Sequence, residues 1–124
     1  MMNDLDLQNM RQKLVLERSH LLARIRDQET KLQSREDANP DALDLAQDYT
    51  ARERRSVRLA QARSQLELVE TALKRLAEGT YGVCTQCGEM IALARLEVLP
   101  YALLCVRCQE EQERAAHEGY GASS

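Results

Sequence analysis

The placement of helix breakers restricts the architectures open to this chain more than any other feature. Of two prolines and five glycines, only Pro40 falls within the first 78 residues. From Asp4 to Arg35 there is neither, and apolar residues recur at Leu7, Met10, Leu14, Leu21, Ile25 and Leu32 in steps of three, four and seven. That periodicity predicts an amphipathic helix roughly 45 Å long at about 1.5 Å per residue. Arg18 and Gln28 stand where a regular seam would continue, so a loosely packed helix pair is expected rather than a long leucine zipper.

The segment Glu36-Asp37-Ala38-Asn39-Pro40-Asp41 ends the first pattern and starts a second. Asn39 is a favoured N-cap, Pro40 is tolerated at the first helical position, and Asp41 opposes the positive helix start. The second helix is predicted to run to Glu78, with Leu59, Ala62, Leu66, Val69, Leu73 and Leu76 along one face and Gly79 as terminator. Two long helices with so short a connection must run antiparallel. Residues 1–78 are therefore expected to form a helical hairpin with its tip at about 36–46. Composition agrees: 44% of residues are hydrophobic but only 3% aromatic, all of them Tyr. Apolar area must be buried along seams rather than in a thick core.

Residues 79–124 have a different texture, and four cysteines dominate them. Cys84-x-x-Cys87 and Cys105-x-x-Cys108 are separated by seventeen residues, Gly88 to Leu104, within the spacing of paired zinc-ligand motifs. A two-residue gap lets both sulfurs of a pair face one ion, and the intervening segment folds back to deliver the second pair. Gly88 would let the backbone turn tightly beneath the metal. Four thiolates leave no open coordination position, so one structural Zn2+ is expected, replacing a missing core with metal-binding free energy. Two disulfides, thiol redox chemistry and an iron site are the competing readings; a reducing cytosol and the absence of a βαβ pattern disfavour the first two. From Gln109 to about His117 a short final helix is expected, with Gly119 to Ser124 frayed. The fold class is thus mainly α: a long antiparallel coiled-coil helical hairpin plus a small four-cysteine zinc-finger domain with a C-terminal helix.

Charge and motifs exclude several functions. With 17 Lys and Arg against 20 Asp and Glu, the net charge is −3, which argues against binding nucleic acid mainly by neutralising phosphates. No run approaches the roughly 18 apolar residues of a membrane span, and Met1-Met2-Asn3-Asp4 resembles no secretory signal, so a cytoplasmic protein is expected. There is no phosphate-binding glycine loop, nucleophile elbow or Ser-His-Asp order, and no independent catalytic activity is expected. His20 and His117 read as surface or packing residues, because the cysteines already complete a tetrahedral site.

Asp41 and Asp44 share a face at the start of the second helix, followed by Ala46. Acidic residues in a first turn complement the helix dipole; alternatively, a rigid arm carries two carboxylates to a partner's cationic or metal-bearing site. Pro40-Asp41-Ala42-Leu43-Asp44-Leu45-Ala46 resembles the Asp-x-x-Asp-x-Ala coiled-coil tip of the DksA/TraR family. The segment Gly82-Val83-Cys84-Thr85-Gln86-Cys87-Gly88, with Ile91, Arg95-Leu96-Glu97, Pro100 and Leu104-Cys105-Val106-Arg107-Cys108, resembles the family's zinc finger. The resemblance implies a short DksA-like protein that binds bacterial RNA polymerase without specific DNA contact and inserts its hairpin through the secondary channel. It would place Asp41, Asp44 and Ala46 near the catalytic centre, acting as a monomer on initiation.

Longer members bind the alarmone guanosine tetraphosphate with basic residues at positions that correspond here to Leu68, Leu99 and Gln109. None of these can pair with a phosphate, so the alarmone pocket is expected to be absent or crippled. Arg52, Arg54, Arg55 and Arg58 cluster below the tip, and two readings stay open: a solvated face laced with i,i+4 pairs, or contact of Arg52, Arg55 and Arg58 with an acidic channel wall. Arg95, another expected polymerase contact, and Arg107 flank the finger and would neutralise thiolate charge or touch a partner. A zinc-finger module binding nucleic acid directly, with the coiled coil as adaptor or dimerisation arm, is the alternative function; the charge and the absence of Phe and Trp disfavour it.

Overall fold

A computed structural model describes residues 2–33 and 42–122, with side chains over 2–33 and 49–117. Among the described residues four helices follow one another: α1 (Asp4–Gln33), α2 (Ala42–Glu78), α3 (Leu93–Val98) and α4 (Val106–Ala122). The only sheet-like pairing among the described residues is an isolated antiparallel bridge between Val83 and Met90. The chain packs as two compact units, Leu16–Glu67 and the union of Met1–Val15 with Leu68–Ser124.

Local sequence explains the described helix ends. At the start of α1, Asn3 Oδ1 accepts the Asp6 N–H at 2.8 Å and the Asp6 carboxylate accepts the Asn3 N–H at 3.3 Å, a reciprocal box that satisfies two donors the helix leaves over. At the end of α2, Gly79 adopts a φ of 80°. The Thr80 N–H then reaches Arg75 O at 2.9 Å and the Gly79 N–H reaches Leu76 O at 3.4 Å, the hydrogen-bond pair of a Schellman stop. The proposed caps Asn39, Pro40 and Asp41 lie outside the described residues.

In the Leu16–Glu67 unit, Leu21 and Ile25 of α1 are buried with Leu59 and Ala62 of α2. Polar ties flank this seam: Arg63 Nη2 donates to Glu29 Oε1 at 2.7 Å, and Gln65 Nε2 donates to Glu17 Oε1 at 2.8 Å. Arg18 and Gln28, the irregular seam positions, are half-buried, and Gln28 Oε1 is buried without a hydrogen-bond partner. In the other unit, Met10 and Leu14 of α1 and Val69 and Ala72 of α2 are buried together with Tyr81, Ile91 and Leu96. The buried face therefore takes in Ala72, while Leu66, Leu73 and Leu76 are only half-buried. A straight helix drifts by about 20° per heptad against a 3.5-residue repeat, which shifts the seam between neighbouring positions.

Two features of residues 79–122 differ from expectation. The six-residue α3 was not signalled, being too short for periodicity; its Leu96 is fully buried. The last helix begins at Val106 rather than Gln109, because Cys105 caps it, and its backbone stays helical to Ala122. Glycines at 119 and 121 lower helix propensity without forbidding a helix.

One side chain ties the end of α2 to the first knuckle, and a second ties that knuckle to the segment ahead of the second cysteine pair. Arg75 Nη2 donates to Thr80 O at 2.8 Å and to Val83 O at 2.6 Å, and the Tyr81 hydroxyl donates to Pro100 O at 2.8 Å. Burial pushes the Tyr81 phenol from 10.0 up to about 12, because the charged form would lose its water. A raised pKa in the folded state means that the stability Tyr81 contributes is complete below pH 10.0 and is lost as pH rises towards about 12. In an alkaline absorbance titration, the last tyrosine to ionise should disappear in Tyr81→Phe, with a stability loss of about 1 kcal/mol at neutral pH. Leu21→Ala, at a fully buried seam position, should cost about 2–5 kcal/mol in urea unfolding. Leu5→Ala, at a position 64% exposed, should stay within about 0.5 kcal/mol of the native chain.

Candidate metal centre

The first cysteine pair sits in a tight turn. The Cys84 N–H donates to Glu89 O at 2.8 Å and the Gly88 N–H returns to Cys84 O at 3.0 Å. Gly88 has a φ of 77°, a backbone that a residue with Cβ adopts only at a cost. No neighbouring atom lies within 4 Å of where that Cβ would be, so conformation rather than space requires the glycine. The second pair belongs to the start of α4. The Cys108 N–H faces Cys105 Sγ at 3.5 Å and the Gln109 N–H bonds Cys105 O at 2.9 Å. A sulfur thus takes the N-cap role, where the helix dipole favours negative charge. The Thr85 N–H donates to Leu103 O at 2.9 Å, joining the two halves.

All four Sγ atoms lie within 4.8 Å of one another. Cys87 Sγ and Cys105 Sγ are 3.8 Å apart, which matches the edge of about 3.8 Å in a sulfur tetrahedron with Zn–S bonds of about 2.3 Å. A disulfide would need about 2.05 Å, and all four cysteines are free. The donor set therefore fits one structural Zn2+ held by Cys84, Cys87, Cys105 and Cys108. Cys84 and Cys108 are buried, whereas Cys87 and Cys105 are half-buried.

The surroundings shift the thiols in opposite directions. Backbone N–H groups, that of Cys87 above all and then those of Cys105 and Gln86, bring the Cys84 thiol down from 9.0 to about 6. Burial instead pushes Cys108 up to about 12, so this sulfur surrenders its proton to a metal rather than to solvent. Cys87 above all, and then the charges of Cys108 and Cys105, keep the Arg107 guanidinium more firmly protonated. Of the two roles open to Arg107 in the sequence, the structure supplies the thiolate partner.

The remaining sequence candidates are spread over the fold. Arg95 Nε donates to Leu104 O at 3.1 Å, bracing the stretch of chain before Cys105. Arg52 and Arg58 are exposed on α2 and Arg55 is half-buried. Asp41 lies outside the described residues; Asp44 and Ala46 fall on the α2 backbone, but their side chains are outside those described. Leu68, Leu99 and Gln109, far apart in sequence, line one cavity. His20 and His117 are exposed. Arg75 was missed as a clamp on the first knuckle, although a basic residue in a last helical turn is a recognised partner for free carbonyls.

Chelation should separate the two units. Stripping zinc, or replacing Cys84 by Ser, should abolish hydrogen-exchange protection over residues 81–108 while amides of Leu16–Gln33 and Arg52–Glu67 stay protected. Because Cys108 must lose a proton to bind metal, zinc affinity should fall as pH falls, and calorimetry in buffers of different ionisation enthalpy should show proton release. Equal protection with and without zinc would exclude a structural metal.

Comparison with known proteins agrees with this geometry. Residues 79–114 match the prokaryotic dksA/traR C4-type zinc finger. The chain is 34% identical over 113 residues to the RNA polymerase-binding transcription factor DksA of Caulobacter vibrioides, covering 91% of this chain and 80% of that protein. The factor of the same name from Escherichia coli is 29% identical over 111 residues, covering 87% of this chain and 72% of that protein. Among solved structures, transcription factor DksA2 from Pseudomonas aeruginosa superposes with a TM-score of 0.81 at 33% identity, over 93% of this chain and 88% of that one. With the cysteine geometry, the hairpin and these matches in agreement, the chain belongs to the DksA/TraR family.

Proposed function

We propose that this protein is a bacterial transcription regulator that binds RNA polymerase and delivers its hairpin tip through the secondary channel to modulate initiation. One observation carries the reading: similarity to a factor named for polymerase binding extends over 91% of this chain and 80% of that factor, beyond the zinc finger. In functional terms residues 1–78 are the arm, with the tip at about 36–46, and residues 79–124 are the finger that anchors it. Asp41, Asp44 and Ala46 act on the polymerase. Arg52, Arg55 and Arg58 steer the arm along an acidic wall, and this contribution weakens with salt. Arg95 supports the loop at the finger's surface and offers its remaining nitrogens to the polymerase.

The protein works as a cytoplasmic monomer and performs no catalysis of its own. Among the described residues no helix is long and apolar enough to cross a membrane. Guanosine tetraphosphate has no basic cluster to hold it at Leu68, Leu99 and Gln109, so regulation proceeds without the alarmone at that place.

In transcription assays with purified RNA polymerase, Asp44→Asn should abolish the effect of the protein on initiation while still competing with the native chain for the enzyme. Full activity of Asp44→Asn would refute the tip mechanism. Tight binding to free duplex DNA at physiological salt would favour a nucleic-acid module instead.

A further inference from the structure

Beside the zinc knuckles, within the unit that includes Leu68–Ser124, lies a cavity of about 700 Å3. Its walls come from α2 at Leu68, the first knuckle at Thr85, α3 at Arg95, the segment 99–104 and the first turns of α4. That volume is in the range of small-molecule sites, which combine an apolar lining with a few convergent polar groups. Leu68, Leu99 and Leu103 supply aliphatic wall; Gln109, Gln112 and Glu113 supply hydrogen-bonding groups from one helix.

The charges show what such a site would accept. Arg95 is the one cation among the lining residues and Glu113 the one anion, so the walls are formally neutral. Arg95 already spends its Nε on Leu104 O at 3.1 Å. Glu113 Oε1 accepts Gln109 Nε2 at 3.0 Å, leaving a carboxylate oxygen and the amides of Gln109 and Gln112 for a guest. A phosphate or other polyanion would meet a carboxylate and a single, partly committed guanidinium. A bulky cation would meet mostly aliphatic surface.

We propose that this cavity binds a small, uncharged amphipathic molecule. Its apolar body packs against Leu68, Leu99 and Leu103, and its N–H or O–H edge donates to Glu113 beside the amides of Gln109 and Gln112. The cavity includes Leu68 of the arm helix and the positions that correspond to the alarmone-binding residues of longer family members, but its test uses the protein without polymerase, so its failure and that of the polymerase reading are distinguishable.

The zinc-loaded full chain, titrated with N-phenyl-1-naphthylamine as an uncharged aromatic probe with one N–H donor, tests the assignment. Expected are saturable one-to-one binding with a blue-shifted emission, and NMR shifts at the side-chain amides of Gln109 and Gln112. Leu68→Arg, at a helix position 39% exposed and so tolerant of a charge, and separately Leu99→Arg should each weaken binding by about tenfold or more. Both should retain zinc and helicity. Inorganic pyrophosphate should not displace the probe. The proposal fails if binding does not saturate, if the shifted resonances lie away from α4, if neither arginine substitution weakens binding, or if pyrophosphate binds the native chain and displaces the probe.

Discussion

Four cysteine sulfurs gathered within 4.8 Å of one another are the constraint on which the second half of this molecule depends. As thiolates they concentrate more negative charge than hydrogen bonds can balance, so the arrangement needs a cation at its centre. Around that centre the chain supplies every secondary means of holding negative charge. Backbone N–H groups face Cys84, the start of α4 faces Cys105, and the Arg107 guanidinium lies against Cys87. Between Gly79 and Leu104 only Tyr81, Cys84, Ile91 and Leu96 are buried side chains of any size. So few apolar groups do not hold a fold of this length alone, and the metal replaces what a larger core would contribute.

The hairpin works by a different principle. Its seam is a line of Leu, Ile, Val, Met and Ala contacts that needs no thickness, which is how a chain with 3% aromatic residues buries enough apolar surface. The two principles meet at the end of α2, where Arg75 holds the carbonyls of Thr80 and Val83 and Tyr81 reaches Pro100. These hydrogen bonds convert a helix terminus into the foundation of the first knuckle. A helix stabilised along its length thereby leads into a segment stabilised at one point.

This division suits the proposed function as arm and anchor. The proposed arm would have to be stiff, and stiffness in two helices comes from an apolar seam. An anchor must present a defined surface from few residues, and a tetrahedral metal fixes several chain directions at once. The polar interruptions at Arg18 and Gln28 weaken the seam locally without breaking it, since Arg63 with Glu29 and Gln65 with Glu17 bridge the helices on either side.

Sequence by itself determined the two long helices and the cysteine ligands, because both are local signals. Apolar steps of three and four report a helix from any dozen residues, and two Cys-x-x-Cys pairs report a tetrahedral site from their spacing. Only the tertiary structure decided which parts of those helices pack together, that α4 begins at Val106 under a Cys105 cap rather than near Gln109, and that Ala72 joins the buried face. Arg75, Tyr81 and the contributions of Thr85, Gln112 and Glu113 to the cavity at Leu68, Leu99 and Gln109 were hidden for the same reason. Their partners lie from five to about forty positions away, at separations set by how the knuckles fold back on α2. No repeat or motif encodes a contact that exists only after the metal has fixed the direction of the chain.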